Sequence, residues 1–229
     1  MTSNPPLIPH DAAPWNADYL HRGQLWGGAV YDVPVLPADS RVLELGCGTG
    51  KTFCAMQSRG YDIVGIDFSH HAARMSHGFS GAIERGNVLI ADARDLPFTA
   101  NSFDAVIAFH VIGHMKMQDR EHCVEESWRV LRYGGHLFFR EFSTEDFRSG
   151  NGRLVEPGTF ERNSGILTHY FTEPETTGLF SQFTRSGLAT CRWTMLVRGK
   201  KLLRAEVTGI FVKNLATKKT FHPSTCVCE

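Results

Sequence analysis

The stretch Arg41-Val-Leu-Glu-Leu-Gly46-Cys-Gly-Thr-Gly50-Lys-Thr-Phe-Cys-Ala-Met-Gln-Ser58 decides the fold. It opens as a short apolar run of strand length and passes through Gly46, Gly48 and Gly50. It then continues over residues 51–58 as a short helix with Gly60 at a C-cap position. Glycines between a strand and a helix let backbone approach a ligand closely at the helix start, the arrangement of a nucleotide-type binding turn. Two common forms of that turn do not fit. A Walker A loop places four residues between its first Gly and the Gly-Lys-Ser/Thr, which here demands a Gly at Leu45, so Gly50-Lys51-Thr52 is a coincidence. The dinucleotide fingerprint GxGxxG fails because the third Gly comes one residue early. What remains is GxGxG preceded by the acidic Glu44.

Outward from this turn the same alternation continues. Tyr61-Asp-Ile-Val-Gly-Ile-Asp67 is a second strand, Ser69 caps a helix through about Phe79, and Asn87-Val-Leu-Ile-Ala91 is a third strand. Phe103-Asp-Ala-Val-Ile-Ala-Phe109 is the fourth. A helix over about 118–131 ends near Gly134-Gly135, and His136-Leu-Phe-Phe-Arg-Glu-Phe142 is the fifth strand. Strands alternating with helices predict an α/β fold with a parallel sheet covered on both faces. Upstream, residues 15–26 are polar with interspersed aromatics and predict one amphipathic helix. Residues 143–170 carry no clear period, and a stretch of that length favours a functional lid or binding loop. Thr172-x-x-Glu175 has the form of a capping box opening a helix that buries Leu179, Phe180 and Phe183 and stops at Gly187. Residues 191–198 and 203–212, separated by Gly199-Lys-Lys, predict an antiparallel hairpin at one sheet edge. No internal repeat or second domain is visible; residues 1–214 read as one domain and 215–229 as a flexible tail.

The chain has 229 residues with 42% hydrophobic and 21% charged side chains, enough for a substantial core, which rules out disorder as the main state. Twenty-four basic residues balance twenty-four acidic ones, so no global positive field drives nucleic-acid binding, although a local basic patch is compatible with that balance. No apolar run approaches the roughly 18 residues of a membrane span. The first residues have neither the basic nor the apolar region of a signal peptide, which predicts a cytoplasmic protein without membrane contact. Six cysteines at 47, 54, 123, 191, 226 and 228 lack the paired CxxC spacing of a zinc site, so reduced thiols are expected. Cys226-Val-Cys228 with His222 has the outline of a soft-metal clamp, but a pair of free thiols in a polar tail is the commoner arrangement, and no metal is expected.

Val42-Leu-Glu-Leu-Gly-Cys-Gly-Thr-Gly50 resembles throughout the first motif of class I S-adenosylmethionine-dependent methyltransferases. The resemblance extends to Asp67 at the end of the second strand and to Ala91-Asp92-Ala93 after the third. It continues through Leu96-Pro97-Phe98 with Ser102-Phe103-Asp104 and through Leu131-Arg-Tyr-Gly-Gly135-His-Leu, and it covers about residues 15–212. It implies a Rossmann-like three-layer sandwich of about seven mostly parallel strands closed by the antiparallel C-terminal hairpin. It also implies transfer of a methyl group from S-adenosylmethionine, held in the crevice above the first and fourth strands, to a small-molecule acceptor. By the same resemblance the turn with Glu44, Gly46, Cys47, Gly48 and Gly50 passes under the methionine part, Asp67 binds ribose and Phe68 flanks adenine. Asp92 and Ala93 read the adenine edge, and Phe109 and His110 border the cofactor. The helix over about 15–27 is then a lid in which Tyr19 contributes near the cofactor carboxylate; equally, Trp15, Tyr19 and Trp26 pack a helix onto the sheet.

The loop over about 143–171 then holds the acceptor. Arg140, Arg148, Arg153, Arg162, His169 and Tyr170 cluster in and beside it, and Arg140, Arg153 and Tyr170 are the substrate candidates, since arginines there would bind a carboxylate or phosphate. Solvated surface arginines are the plain alternative. Methyl transfer asks mainly for alignment, so a base is optional. His110, His114, His169 and Glu141 are the catalytic candidates for an acceptor that must lose a proton. His110 and His114, four residues apart, also have metal-pair spacing, but no third ligand is near in sequence. Competing classes are a non-catalytic S-adenosylmethionine-binding module, a protein-directed methyltransferase and a nucleotide-dependent oxidoreductase. Neutral charge argues against a nucleic-acid acceptor, and monomer and homodimer are both compatible with the sequence.

Overall fold

A computed structural model describes residues 12–22, 32–79 and 87–214. In chain order the elements are α1 (Ala12–Arg22), β1 (Arg41–Leu45), α2 (Lys51–Gln57), β2 (Asp62–Asp67), α3 (His70–Phe79), β3 (Asn87–Ile90) and β4 (Phe103–Phe109). They continue with a single 3-10 turn (Ile112–His114), α4 (Met117–Val130), β5 (Leu131–Phe142), β6 (Arg153–Glu156), β7 (Thr159–Glu161) and β8 (Leu167–His169). The chain closes with α5 (Glu173–Leu179), β9 (Thr184–Val197) and β10 (Lys200–Val212). Seven strands form one sheet in the order β3-β2-β1-β4-β5-β10-β9, and β6, β7 and β8 form a separate antiparallel sheet. The pairs β1–β2, β2–β3, β1–β4 and β4–β5 are parallel, whereas β10 runs antiparallel to both β5 and β9. The sheet is therefore mixed only at its hairpin edge, as the sequence predicts.

Strand residues alternate between two cores, which is the direct cause of the near-continuous apolar runs in β1 and β4. Leu43, Leu45, Val106 and Ala108 face a cluster shared with Cys123 and Val124 of α4, whereas Val42, Ala105 and Ile107 face one shared with Phe53 and Met56 of α2. Gly65 of β2 belongs to the second layer's tight packing: a Cβ there would stand 3.0 Å from Phe53 and 3.1 Å from Cys47. Ser69 caps α3 as predicted, its Oγ accepting from Ala72 N at 3.2 Å. Cys47, Cys54, Cys123 and Cys191 are free thiols.

Three expectations are corrected. The periodless stretch after β5 is built, not loose: β6, β7 and β8 pair antiparallel, with Phe160 opposite Thr168. Short strands bounded by glycines carry too few residues to show a period of two. Helix α5 ends at Leu179 and does not reach Gly187, because residues from Thr184 onward pair with β10 down to Thr184↔Val212; tertiary pairing overrides the helical pattern. The hairpin is correspondingly longer than predicted. It turns on Arg198 (φ 48) and Gly199 (φ 76), both left-handed as a two-residue turn requires, so Lys200 and Lys201 are strand residues. Helix α1 begins at Ala12, three residues before the predicted start; Trp26, His222, Cys226 and Cys228 lie outside the described residues.

Candidate active site

The sheet's strand order reverses between β1 and β4: the chain runs from β1 outward to β2 and β3, then returns to β4. In open α/β sheets the carboxyl ends of strands flanking such a reversal leave a crevice that binds ligands. Here that crevice is a cavity lined by Gly46, Ile66, Asp67, Phe68, Ala91, Asp92, Ala93, Arg94, His110, Val111, His114 and Met115, with Trp15 and Tyr19 of α1 above them. Residues predicted from five separate parts of the sequence are thus brought to one cavity.

The glycine turn needs its glycines. Gly46, Gly48 and Gly50 have φ of 62, 54 and 84, the left-handed region that side chains resist. A Cβ on Gly48 would stand 2.8 Å from the Tyr19 hydroxyl, and one on Gly50 2.6 Å from Ser76 Oγ. Asp67 organises the turn from β2, its Oδ2 accepting from Gly48 N at 2.9 Å and its Oδ1 from Ser69 N at 2.8 Å. Burial raises the Asp67 carboxyl to about 6 even though both N–H bonds favour the ionised form. Glu44 is buried and held well above the usual carboxylate range, first by desolvation and then by Asp67, and its Oε2 has no hydrogen-bond partner. Burial also pushes the Cys47 thiol and the Tyr19 phenol up, so both remain neutral. Tyr19 thus stands over the turn and packs beside Trp15, their ring centroids 5.9 Å apart.

At the β3 end, Ala93 lines the cavity, while Asp92 is gripped by Arg94, whose Nε and second guanidinium nitrogen approach at 2.9 and 2.7 Å; Arg94 also reaches Asp119 at 3.3 Å. This clamp was not foreseen, and an Arg two residues past the acid is its only sequence signal.

Beyond β4 the chain turns at His110, which has φ 54 without being glycine. Its imidazole lies 4.5 Å from the Phe142 ring, between Glu141 (Nδ1 to Oε2, 3.8 Å) and Glu206 (Nε2 to Oε1, 3.4 Å). Glu141 is buried, accepts from Gly113 N at 2.8 Å, and is raised to about 7 by burial, against the opposing effect of His110. Glu206, from β10, carried no signal in the sequence; only the pairing Glu206↔Phe142 brings it here. His114 also lines the cavity. Its Nδ1 stands 2.6 Å from the Leu167 carbonyl, and since a carbonyl only accepts, Nδ1 carries the proton. Burial depresses this imidazole to about 4, and its ring meets Trp15 edge-on at 4.7 Å. Phe109 is not among the cavity residues; its ring lies under the Arg140 guanidinium at 4.5 Å.

Other candidates lie elsewhere. Arg140 bonds Asp32 at 2.5 Å, and Arg153 is exposed and paired with Glu161. His169 is buried between Thr159 Oγ1 (2.7 Å) and Glu175 Oε1 (2.6 Å), tying β7, β8 and α5 together outside the cavity. The Glu175 side chain thereby serves His169, while its backbone N–H donates to Thr172 Oγ1 at 3.3 Å as in the predicted cap. Tyr170 is buried beside Phe142 and Phe160. Among the described residues no group of three or more His, Cys, Asp or Glu side chains could hold a metal ion.

A reversal-point crevice beside a GxGxG turn, with an acid on the next strand and a second acid on the one after, is the arrangement that the resemblance to class I S-adenosylmethionine-dependent methyltransferases implies. Residues 43–139 match the family described as methyltransferase domain. A tRNA N(3)-methylcytidine methyltransferase, Mettl2 of Drosophila melanogaster, is 30% identical over 165 residues, 64% of this chain and 51% of the relative. A demethylmenaquinone methyltransferase of Clavibacter sepedonicus is 35% identical over 122 residues, 53% of this chain and 49% of the relative. The crystal structure of a SAM-dependent methyltransferase from Methanosarcina mazei superposes with a TM-score of 0.66 at 25% identity, over 79% of this chain and 95% of that one. The chain spans about half the length of the curated relatives it matches. No helix among the described residues is long and apolar enough to cross a membrane.

Proposed function

We propose that this protein transfers a methyl group from S-adenosylmethionine to a small-molecule acceptor. The observation that carries the reading is the fit of the cavity: a left-handed glycine turn that a Cβ would fill, Asp67 with both oxygens fixed, and a buried Glu44 oxygen still lacking a partner. When bound, S-adenosylmethionine supplies an activated methyl group on a sulfonium sulfur, and the protein's work is alignment. Gly46, Gly48 and Gly50 give the methionine part a backbone floor under Tyr19, with Glu44 and Cys47 beneath. Asp67 takes the ribose hydroxyls, Phe68 flanks the adenine, and Asp92 with Ala93 borders its edge. His110, on the cavity wall between Glu141 and Glu206, is the group placed to take a proton from an acceptor that must lose one. His114, depressed to about 4 by burial, acts as a neutral hydrogen-bonding group instead.

The small size of the acceptor rests on the cover: Trp15 closes on His114 from α1, and the β7–β8 tip packs toward Pro14. A tRNA acceptor, suggested by the Drosophila relative, is the competing reading. Calorimetric titration with S-adenosylmethionine and S-adenosylhomocysteine, with NAD(H) as control, is followed by methyl-labelled turnover against small-molecule, protein and tRNA panels. Binding of the sulfur ligands with label on a small molecule supports the proposal. Label on tRNA or protein moves the acceptor class, binding without turnover leaves a non-catalytic module, and stabilisation by NAD(H) alone refutes the whole reading.

A further inference from the structure

Arg162 stands out among the arginines over 140–162, in a segment that abuts the cavity wall. It follows β7, and its backbone N–H donates to Ile166 O at 3.0 Å to close the β7–β8 tip. The next residue, Leu167, holds His114 of the cavity through its carbonyl, and a Cβ on Gly165 of the same tip would meet Pro14 of α1 at 3.3 Å. The tip therefore bridges the cavity wall and the helix above it. Arg162 is half-buried there, and among the described residues no carboxylate lies within ion-pair distance of it. The nearby acids are already engaged: Glu161 by Arg153, and Asp146 by Arg148 at 2.8 Å and Arg204 at 2.7 Å. The Arg162 guanidinium acts on the phenol of buried Tyr170. Arg148, stacked 3.9 Å over Phe142, stands on the same side, and the charges of Arg162 and Arg148 are both felt at His114.

A guanidinium taken partly out of water without a counter-ion is costly, and its planar fork of donors matches a carboxylate or phosphate bidentately. We propose that the methyl acceptor carries an anionic group, a carboxylate or a phosphate, which Arg162 binds, with Arg148 adding positive charge. This rests on the methyl-transfer reading above and names the class of its substrate. It also reassigns the arginines that position in the sequence favoured: Arg140 and Arg153 have partners of their own, and Arg162 is the one whose partner is to be supplied.

The test titrates protein saturated with S-adenosylhomocysteine with inorganic phosphate and, separately, with benzoate, following binding by calorimetry. One of the two is expected to saturate, and the tighter one names the anion class. Arg162→Met is expected to weaken it at least about tenfold, the loss of a charged hydrogen-bonding pair, while S-adenosylhomocysteine affinity stays within about twofold. Arg162→Lys, which keeps the charge and loses the fork, falls between, and guards against a misfolded Met variant. Arg192→Met, at an exposed ion pair on β9, is the control for general surface charge. Failure of both anions to bind, equal binding by Arg162→Met, or an equal loss in Arg192→Met overturns the proposal. If S-adenosylhomocysteine itself fails to bind, the methyl-transfer reading falls, and the anion titration of wild type against Arg162→Met still decides the site.

Discussion

Gly48→Ala and Gly60→Ala separate two costs that glycine positions combine. Both glycines are left-handed, with φ of 54 and 86, so each alanine meets backbone strain of about 1 kcal/mol. At Gly60 a Cβ has nothing within 4 Å, and strain is the whole cost. At Gly48 the Cβ stands 2.8 Å from the Tyr19 hydroxyl, at the end of a rigid ring on α1, so either the turn or the helix must move. Overpacking of this kind adds about 1–3 kcal/mol. Thermal unfolding should show Gly60→Ala lowering Tm by roughly 2–4 °C and Gly48→Ala lowering it further, since about 1 kcal/mol shifts a domain of this size by that amount. Calorimetry should show S-adenosylhomocysteine affinity unchanged in Gly60→Ala and weakened at least about tenfold in Gly48→Ala, because only the second displaces the floor and the Tyr19 cover. Equal Tm and equal affinity in the two variants would refute the claim that Tyr19 closes on the turn.

Asp67, raised to about 6, should make S-adenosylhomocysteine binding pH-dependent: ligand hydroxyls donate to the ionised form, so affinity is full above pH 6 and falls by up to about tenfold per unit below it. Titrations from pH 5 to 8 check this, with the slope below pH 6 absent in Asp67→Asn. Glu141 carries the opposite sign for folding. Its native value of about 7 exceeds its ordinary 4.5, so its stabilisation is present below pH 4.5 and lost as pH rises through 7. Glu141→Gln should therefore gain on wild type between pH 5 and 8, by about 2–3 kcal/mol in denaturant melts at the upper end, and a constant difference would contradict the assignment. His169→Phe keeps the ring against Phe171 and loses the bonds to Thr159 and Glu175. It should cost about 1–3 kcal/mol of stability with cofactor affinity intact; lost turnover at unchanged stability would return His169 to the chemistry.

The glycine turn and the β2 and β3 ends of the cavity were legible because their parts are local. Gly46, Gly48, Gly50, Asp67 and Ala93 each sit at or just past a strand end that the apolar pattern locates on its own, and the parallel alternation forces those ends together. The region beyond β4, the proposed acceptor side, is built the other way. Glu206 reaches His110 only through the β5–β10 register, and Asp146 is held by Arg204 from fifty-eight residues away. Arg153 and Arg162 look alike in the sequence and differ only in whether an acid faces them once β7 pairs with β6. The short strands β6, β7 and β8 lack the length for a period, so the segment read as a loop.

His110 joins the two regions, and its backbone is informative. Among the described residues the other non-glycine positions with positive φ are Asp39, Asn101 and Arg198. The first two are types that tolerate the left-handed region, and the third lies in a hairpin turn that requires it. Histidine, like Asp and Asn, is among the types enriched in the left-handed region, and at this corner φ 54 sets its side chain between Glu141 and Glu206 on the cavity wall. His110→Asn tests this directly, since Asn accepts the same backbone and cannot accept the proton. It should fold with stability within about 1 kcal/mol of wild type and bind S-adenosylhomocysteine. Turnover, on an acceptor that must lose a proton, should fall by about 10²–10⁴-fold. Retained turnover would assign the corner to backbone geometry alone and remove His110 from the chemistry.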